Sequence, residues 1–386
     1  MNSSINKKSL DIVHLASFSG NIGDIANHKS FRIWFQKINS DKIIKWHDIE
    51  IRHFFRKKTY FSDYHYSLVQ NADLFVIGGG NFLELWPSNT YSGTSLPFDG
   101  RKLMSLDTPV FVNAIGVDDG QGVGKDAENL FPDFVNNLIN KNNVFFSVRN
   151  DGSNKVIKRH LNPANFERLH YLPDHVFFTE IDSSVIKSEF TIVGINLAID
   201  MPHLRFENFA SDEMKYLKEF SKLVVNFLND FPNTIIKFLP HMYSDLLAYS
   251  HVLENLPDEI KRERIIIGNY NTIKGSDSYL DLYHDIDVLI ATRFHSHILG
   301  LAKKIPVLSL NNYSQISKLI YELNNNGFKL ESLNKILDYQ KIKSWYENVT
   351  LIDYSLNNYE ILLKNLNEQR NLVANNLQNW VEENTI

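Results

Sequence analysis

The chain contains no cysteine, which excludes a disulfide, a thiolate zinc site, an iron–sulfur cluster and a cysteine nucleophile. It also lacks a basic excess. Its 40 Lys and Arg stand against 45 Asp and Glu, a formal charge of −5, whereas a general nucleic-acid binder carries a basic surface. A local basic pocket for a small anion is still compatible with that balance. No window approaches the roughly 20 apolar residues of a membrane span. After Lys7 and Lys8, Asp11 and His14 interrupt the first apolar stretch, so the apolar core of roughly 7–15 residues that a secretory signal needs is not expected. These absences fit a protein of the reducing cytoplasm, with no nucleic acid as partner.

What is present is ordinary for a globular protein: 386 residues, 43% hydrophobic and 22% charged. At about 150 residues per domain this length predicts two domains. Short apolar runs alternate with helical patterns from end to end. Strands are expected at 10–16, 73–77, 109–115, 144–148, 190–196, 234–239, 264–267, 288–290 and 306–308. Helices are expected at 26–38, 127–140, 212–229, 244–254 and 296–303. Continuous Val/Ile/Leu/Phe strands each followed by a helix indicate parallel sheets covered on both faces, the doubly wound α/β pattern. The alternation pauses in the polar stretch Glu180–Ser184 and restarts at Phe190. The expected division is therefore a first Rossmann-like domain over 1–183, a second over 184–335 and a helical extension over 336–386. Two such domains facing one another would line a cleft with the carboxyl ends of their strands, where these folds put ligands. In the extension, Leu356, Leu363, Arg370 and Leu377 recur every seven residues beside Tyr359, Leu366, Val373 and Trp380. That seam on a long helix suits packing on the rest of the chain, with a coiled-coil or membrane-surface contact as the alternative.

The candidate chemistry clusters after strands. Ser17–Asp24 holds Asn21, two glycines and Asp24 ahead of a helix. Its N–H groups suit a polar ligand, and Asp24 suits capping or a hydroxyl-bearing ligand. Gly78, Gly79 and Gly80 follow a strand, without the spacing of a dinucleotide fingerprint. Arg149 ends another strand, suited to a carboxylate or phosphate, or to an ion pair with Asp151. The richest cluster is Thr292-Arg293-Phe294-His295-Ser296-His297, with Lys318 further on. There an anion would meet guanidinium, imidazole and a helix N-terminus together, and His295 is the candidate to move a proton. A His-x-His metal pair with His297 finds no partnering pattern, so no metal is expected. His241 also follows a strand and is read equally as a cleft residue or a loop residue.

Taken in order, these segments resemble the polysaccharide pyruvyl transferase family over roughly residues 10–325. The matching pieces are Gly20–Asp24, Asp73 with Gly78–Gly80, Ser147–Asp151 with Ser153, Pro173-Asp174, Arg293–Ile298, and Pro306–Leu310 followed by Lys318. Phe294 stands where a Leu is common, and Asn150 and Gly152 shift the Arg-Asp-x-x-Ser spacing by one residue. The resemblance implies the two-Rossmann fold of GT-B glycosyltransferases. It implies transfer of pyruvate from phosphoenolpyruvate, a co-substrate and not a cofactor, onto two hydroxyls of a sugar in a bacterial surface polysaccharide or its precursor. The assignments that follow are Arg149, Arg293 and Lys318 on the donor anion, with Asn21, Gly78, Gly79, Gly80 and Ser296 as further substrate contacts. His295 is the acid or base, and Asp24 and His241 orient or deprotonate the acceptor. The acceptor would be an oligosaccharide or lipid-linked sugar met at the inner face of the membrane, with Trp86, Tyr91 and Phe98 of loop 82–100 as candidate sugar contacts. Two alternatives are a GT-B glycosyltransferase using a nucleotide sugar, with Asp277, Asp281 or Asp285 on the ribose, and a non-catalytic partner in polysaccharide assembly, in either case with an oligomer open.

Overall fold

The computed structural model describes residues 8–181, 189–210, 212–351 and 356–385. By contacts the chain forms two compact units. One holds residues up to 18, 27–175 and 366 onward; the other holds 19–26 and 176–365. The expected boundary at 183/184 lies outside the described residues. The linear reading assigned 19–26 to the first domain and 366–385 to a separate tail.

The strands in chain order are β1 Lys8–Ala16, β2 Lys42–Glu50, β3 Leu74–Gly78, β4 Leu83–Glu84, β5 Val110–Ile115, β6 Val117–Asp118, β7 Val144–Val148 and β8 Leu169–Tyr171 in the first unit. In the second they are β9 Thr191–Asn196, β10 Thr234–Phe238, β11 Ile265–Ile267, β12 Val288–Ala291, β13 Val307–Asn311 and β14 Glu331–Asn334. Each unit contains a six-stranded sheet, ordered β2-β1-β3-β5-β7-β8 and β11-β10-β9-β12-β13-β14, and every pairing is parallel. The β4–β6 pair stands apart. Both units are Rossmann-like.

The central strands are apolar without interruption because both faces are covered. In β3, Phe75 and Ile77 enter one core cluster with Val13, Leu15 and Phe131, while Leu74 and Val76 enter another with Ile12, Phe31 and Phe111. That second cluster is closed by Val373, Leu377 and Val381 of the helix Leu356–Asn384. Trp380 of the same helix packs on Phe145 at 5.7 Å. The heptad seam of the tail is therefore met inside the chain. Among the described residues no helix is long and apolar enough to cross a membrane.

Of the four edge strands, β2, β8 and β14 escaped the sequence reading, whereas β11 was expected at 264–267. β2 reads Lys-Ile-Ile-Lys-Trp-His-Asp-Ile-Glu and alternates exposed with half-buried positions. Half-solvated strands carry polar residues, so the apolar-run criterion passes over them.

Candidate functional site

In the second unit the site grows from the carboxyl ends of β9, β10 and β12. Asn196 at the end of β9 accepts the Arg293 N–H on its Oδ1 at 3.0 Å, and Thr292 Oγ1 accepts the Ala198 N–H at 2.8 Å. These bonds fix the turn from β12 into the helix Phe294–Ala302. His295 therefore stands in the first turn of a helix, where the peptide dipoles favour an anion.

Residues 19–26 lie against this turn. The Gly20 N–H donates to the Thr272 carbonyl at 3.0 Å, and the Ile22 N–H to the His241 carbonyl at 3.1 Å. Helix α1, Ile22–Ile38, starts here, and Asn21 Oδ1 caps it by accepting the Gly23 N–H at 3.0 Å. Expected as a substrate contact, Asn21 thus has a local capping bond. A Cβ on Gly23 would fall 2.4 Å from the His295 ring, so glycine at 23 makes room for that imidazole. One residue on, Asp24 Oδ1 lies 3.9 Å from His295 Nδ1, and both side chains are nearly buried.

Arg293 was expected to hold a donor anion, but its guanidinium is turned to carboxylates. Nε meets both oxygens of Asp245 at 3.0 and 2.9 Å, and Nη2 meets Asp245, Asp200 at 2.8 Å and Ser244 Oγ at 3.3 Å. Burial opposes its charge, yet the two aspartates outweigh burial and hold its pKa above the usual value. Arg205 shares Asp200 at 3.5 Å, so the two carboxylates are matched by two guanidinium groups, and Arg293 anchors the turn. Asp245 is the hub, because its Oδ2 also accepts the backbone N–H groups of His241 and Met242 at 2.9 and 3.2 Å.

His241 and Ser296 are joined through a residue the sequence did not flag. The Tyr283 hydroxyl donates to Ser296 Oγ at 2.7 Å and lies 2.8 Å from His241 Nε2. With that hydroxyl donating to Ser296, Nε2–H donates to Tyr283 and the lone pair sits on Nδ1, which has no hydrogen-bond partner in the structure. Burial, then Arg293 and His295, push the His241 pKa well down. A neutral His241 cannot be a general acid at neutral pH. Ser296, expected as a substrate contact, is fully buried. His297 is also internal, bonded to the Arg293 carbonyl at 2.7 Å and Ser309 Oγ at 2.8 Å, and burial lowers its pKa to about 4. Lys318 sits half-buried in the helix Ser314–Asn325 after β13. Among the described residues no group of three His, Asp or Glu could hold a metal ion.

Other expected site residues belong to the first unit. Arg149 is 1% exposed. Its Nε donates to Asp151 at 2.6 Å and its Nη1 to Asp174 at 3.5 Å. Asn27 Nδ2 donates to Asp174 at 2.7 Å, and the Asp174 N–H to Asn150 Oδ1 at 2.9 Å. A Cβ on Gly116 would lie 2.8 Å from Arg149 Nη2. Expected on the donor anion, Arg149 is instead the centre of a buried internal network. Gly78 and Gly79 have φ of +106° and +88°, and a Cβ on Gly79 would meet Asn27 Oδ1 at 2.6 Å. This buried glycine turn, expected to be open to a ligand, is packed against side chains. In loop 82–100, Phe98 is core, whereas Tyr91 is exposed and Trp86 half-buried.

Asp24, His241, Arg293, His295 and Ser296 are thus brought together within one unit. Asp200, Asp245 and Tyr283 were missed. Asp245, four residues after His241 in the first turn of the helix Tyr243–Glu254, carried the one available signal, an acidic residue at a helix start.

Solved structures share this fold at low identity. UDP-GlcNAc 2-epimerase from Neisseria meningitidis, bound to UDP-GlcNAc, matches at TM-score 0.55 and 8% identity over 95% of this chain and 99% of that one. UDP-GlcNAc 2-epimerase from Methanocaldococcus jannaschii matches at 0.52 and 12% over 90% and 94%. A UDP-forming trehalose-phosphate synthase from Burkholderia xenovorans matches at 0.50 and 9% over 98% and 100%. Identities this low speak for the GT-B fold alone. No curated protein sequence matches the chain. The family model for polysaccharide pyruvyl transferase, however, matches residues 21–314, a span that runs from the cap of α1 through the Arg293–His297 turn. The chain belongs to the polysaccharide pyruvyl transferase family.

Proposed function

We propose that this protein transfers the pyruvyl group of phosphoenolpyruvate onto two hydroxyls of one sugar in a polysaccharide or its precursor, forming a cyclic ketal. The observation that carries this reading is His295, held in the first turn of its helix beside Asp24, inside the stretch matched by the family. In the reaction C3 of the enol gains a proton, C2 accepts two sugar oxygens and the C2–O bond to phosphate breaks. One hydroxyl proton ends on C3 and the other leaves with phosphate.

His295 supplies the proton to C3 and recovers one from an acceptor hydroxyl, the role of a general acid–base group. Asp24 steadies the imidazolium. The helix N-terminus, with Lys318, takes the donor's negative charge. Arg293 positions the turn through Asp245 and Asp200, and the buried His241 does so through Tyr283 and Ser296.

Incubating the protein with phosphoenolpyruvate and oligosaccharide acceptors tests the reading through phosphate release and the ketal methyl signal in proton NMR. Formation of both products, lost in His295→Gln, is the expected result. Turnover of a uridine diphosphate sugar without turnover of phosphoenolpyruvate would overturn it.

A further inference from the structure

Helix α2 of the first unit, Ile51–Lys57, buries Ile51 and Phe54 and turns Phe55, Arg56 and Lys57 outward. The run Arg52-His53-Phe54-Phe55-Arg56-Lys57-Lys58 holds four basic residues and no acidic one, in a chain whose formal charge is −5. Arg52 is half-buried, its guanidinium 5.6 Å from the centre of the Phe82 ring. Arg56, Lys57 and Lys58 are exposed, and among the described residues none of the three forms an ion pair. Basic residues in a last turn suit the helix dipole. Lys58 goes beyond that, because it sits past the helix at φ +50°, in the left-handed region that favours glycine. The helix alone does not account for a lysine there.

Large rings stand beside these cations. Phe55 is 51% exposed, Tyr64 71% and Tyr91 58%. Tyr64, in the first turn of helix α3, Asp63–Gln70, lines one cavity with Lys57 and Tyr60. Tyr91 packs edge-on against Tyr60, with ring centroids 4.5 Å apart. Cations and rings therefore share one face. Its carboxylates do not cancel it. Arg32 pairs with Asp48 and Lys102 with Asp63. Glu50 at the N-cap of α2 and Asp126 near Tyr60 then stand against Arg52, Arg56, Lys57 and Lys58, which leaves the face positive.

A small anion would satisfy the cations but leave the rings in water. A nucleic acid needs a longer basic track, which Asp63 and Asp126 interrupt. An anionic bilayer meets both needs: its phosphates attract the cations, and the rings enter the boundary between headgroups and acyl chains.

We propose that this face, formed by Phe55, Arg56, Lys57, Lys58, Tyr64 and Tyr91, docks the first unit reversibly on an anionic lipid surface. The docking is independent of the pyruvyl-transfer reading, since none of these residues belongs to the site around His295.

Co-sedimentation of the full chain with vesicles tests the face, using phosphatidylcholine alone and phosphatidylcholine with about 30% phosphatidylglycerol. Binding is expected to the anionic vesicles only, and it should fade in high salt as screening shortens the reach of charge. Each cation removed should weaken binding about 5-fold, so Arg56→Gln with Lys57→Gln should lower it about 25-fold. Lys58→Gly separates charge from fold: it relieves the backbone, so Tm should hold while binding falls. Phe55→Ala and Tyr64→Ala, both at exposed positions, should each weaken binding several-fold and leave its salt dependence in place. Absence of binding to the anionic vesicles would overturn the proposal, as would equal binding to phosphatidylcholine alone. Unchanged binding in the Arg56→Gln, Lys57→Gln variant would do the same. Binding to a single-stranded oligonucleotide, lost in that variant, with none to vesicles, would assign the face to nucleic acid instead.

Discussion

Arg149 follows β7 in one unit and Arg293 follows β12 in the other, and each guanidinium meets two aspartates. Around Arg149 the partners are Asp151 and Asp174, with Ser153, Asn27 and Asn150 completing a sealed polar network. Around Arg293 the partners are Asp245 and Asp200, but the next turn of chain adds His295 and Asp24. Identical sequence signals, an arginine where a central strand ends, thus produce an internal staple in one unit and the scaffold of a protonatable pair in the other. The difference lies in what the following residues are. After Arg149 comes Gly152 at φ +83° and a short helix, whereas His295 stands in the first turn of a nine-residue helix.

The contrast can be broken by substitution. His295→Gln should lower transfer by about 10²–10⁴-fold, the usual share of a general acid–base group, with Tm down by less than about 4 °C. A parallel collapse of Tm would make His295 structural. Arg149→Ala should destabilise by about 3–5 kcal/mol, since it strands two buried carboxylates; a wild-type urea midpoint would show that the network is not a staple.

Two glycines sharpen the same comparison. Gly23→Ala places a methyl against His295, and Gly116→Ala places one against Arg149. Each should cost about 1–3 kcal/mol of stability. Only Gly23→Ala should also reduce kcat beyond that cost, and equal specific activities of the two folded variants would count against His295 as the acid.

The last comparison concerns pH. His14 and His175 in the first unit, and His241 and His297 in the second, all have pKa values lowered chiefly by burial, to about 3 for His175 and about 4 for His297. Below pH 6.5 the unfolded chain binds protons that the folded chain refuses. Their stabilisation is therefore complete above pH 6.5 and is lost as pH falls towards the folded values. Calorimetry from pH 7 to pH 4 should show Tm falling, and falling less steeply in His297→Asn.

Central strands were legible in the sequence because burial on both faces forces continuous apolar runs, as in Leu74–Ile77. β2, β8 and β14 were not, since these edge strands mix polar with apolar residues, unlike the edge strand β11, whose Ile265–Ile267 run was read. Arg293 and His295 were legible because strand, motif and helix follow one another along the chain. Asp200, Asp245 and Tyr283 were not, because they enter from a loop and two separate helices, and polar residues have no periodicity to betray them.

By itself the sequence determined two parallel α/β units, the family and the residue types available for chemistry, with thiols excluded. Those follow from local periodicity and from motifs read in order. Only the tertiary structure decided which charges are available. An arginine's role depends on whether carboxylates such as Asp174, Asp200 and Asp245 from distant segments reach it, and that is a question of packing, not of spacing along the chain.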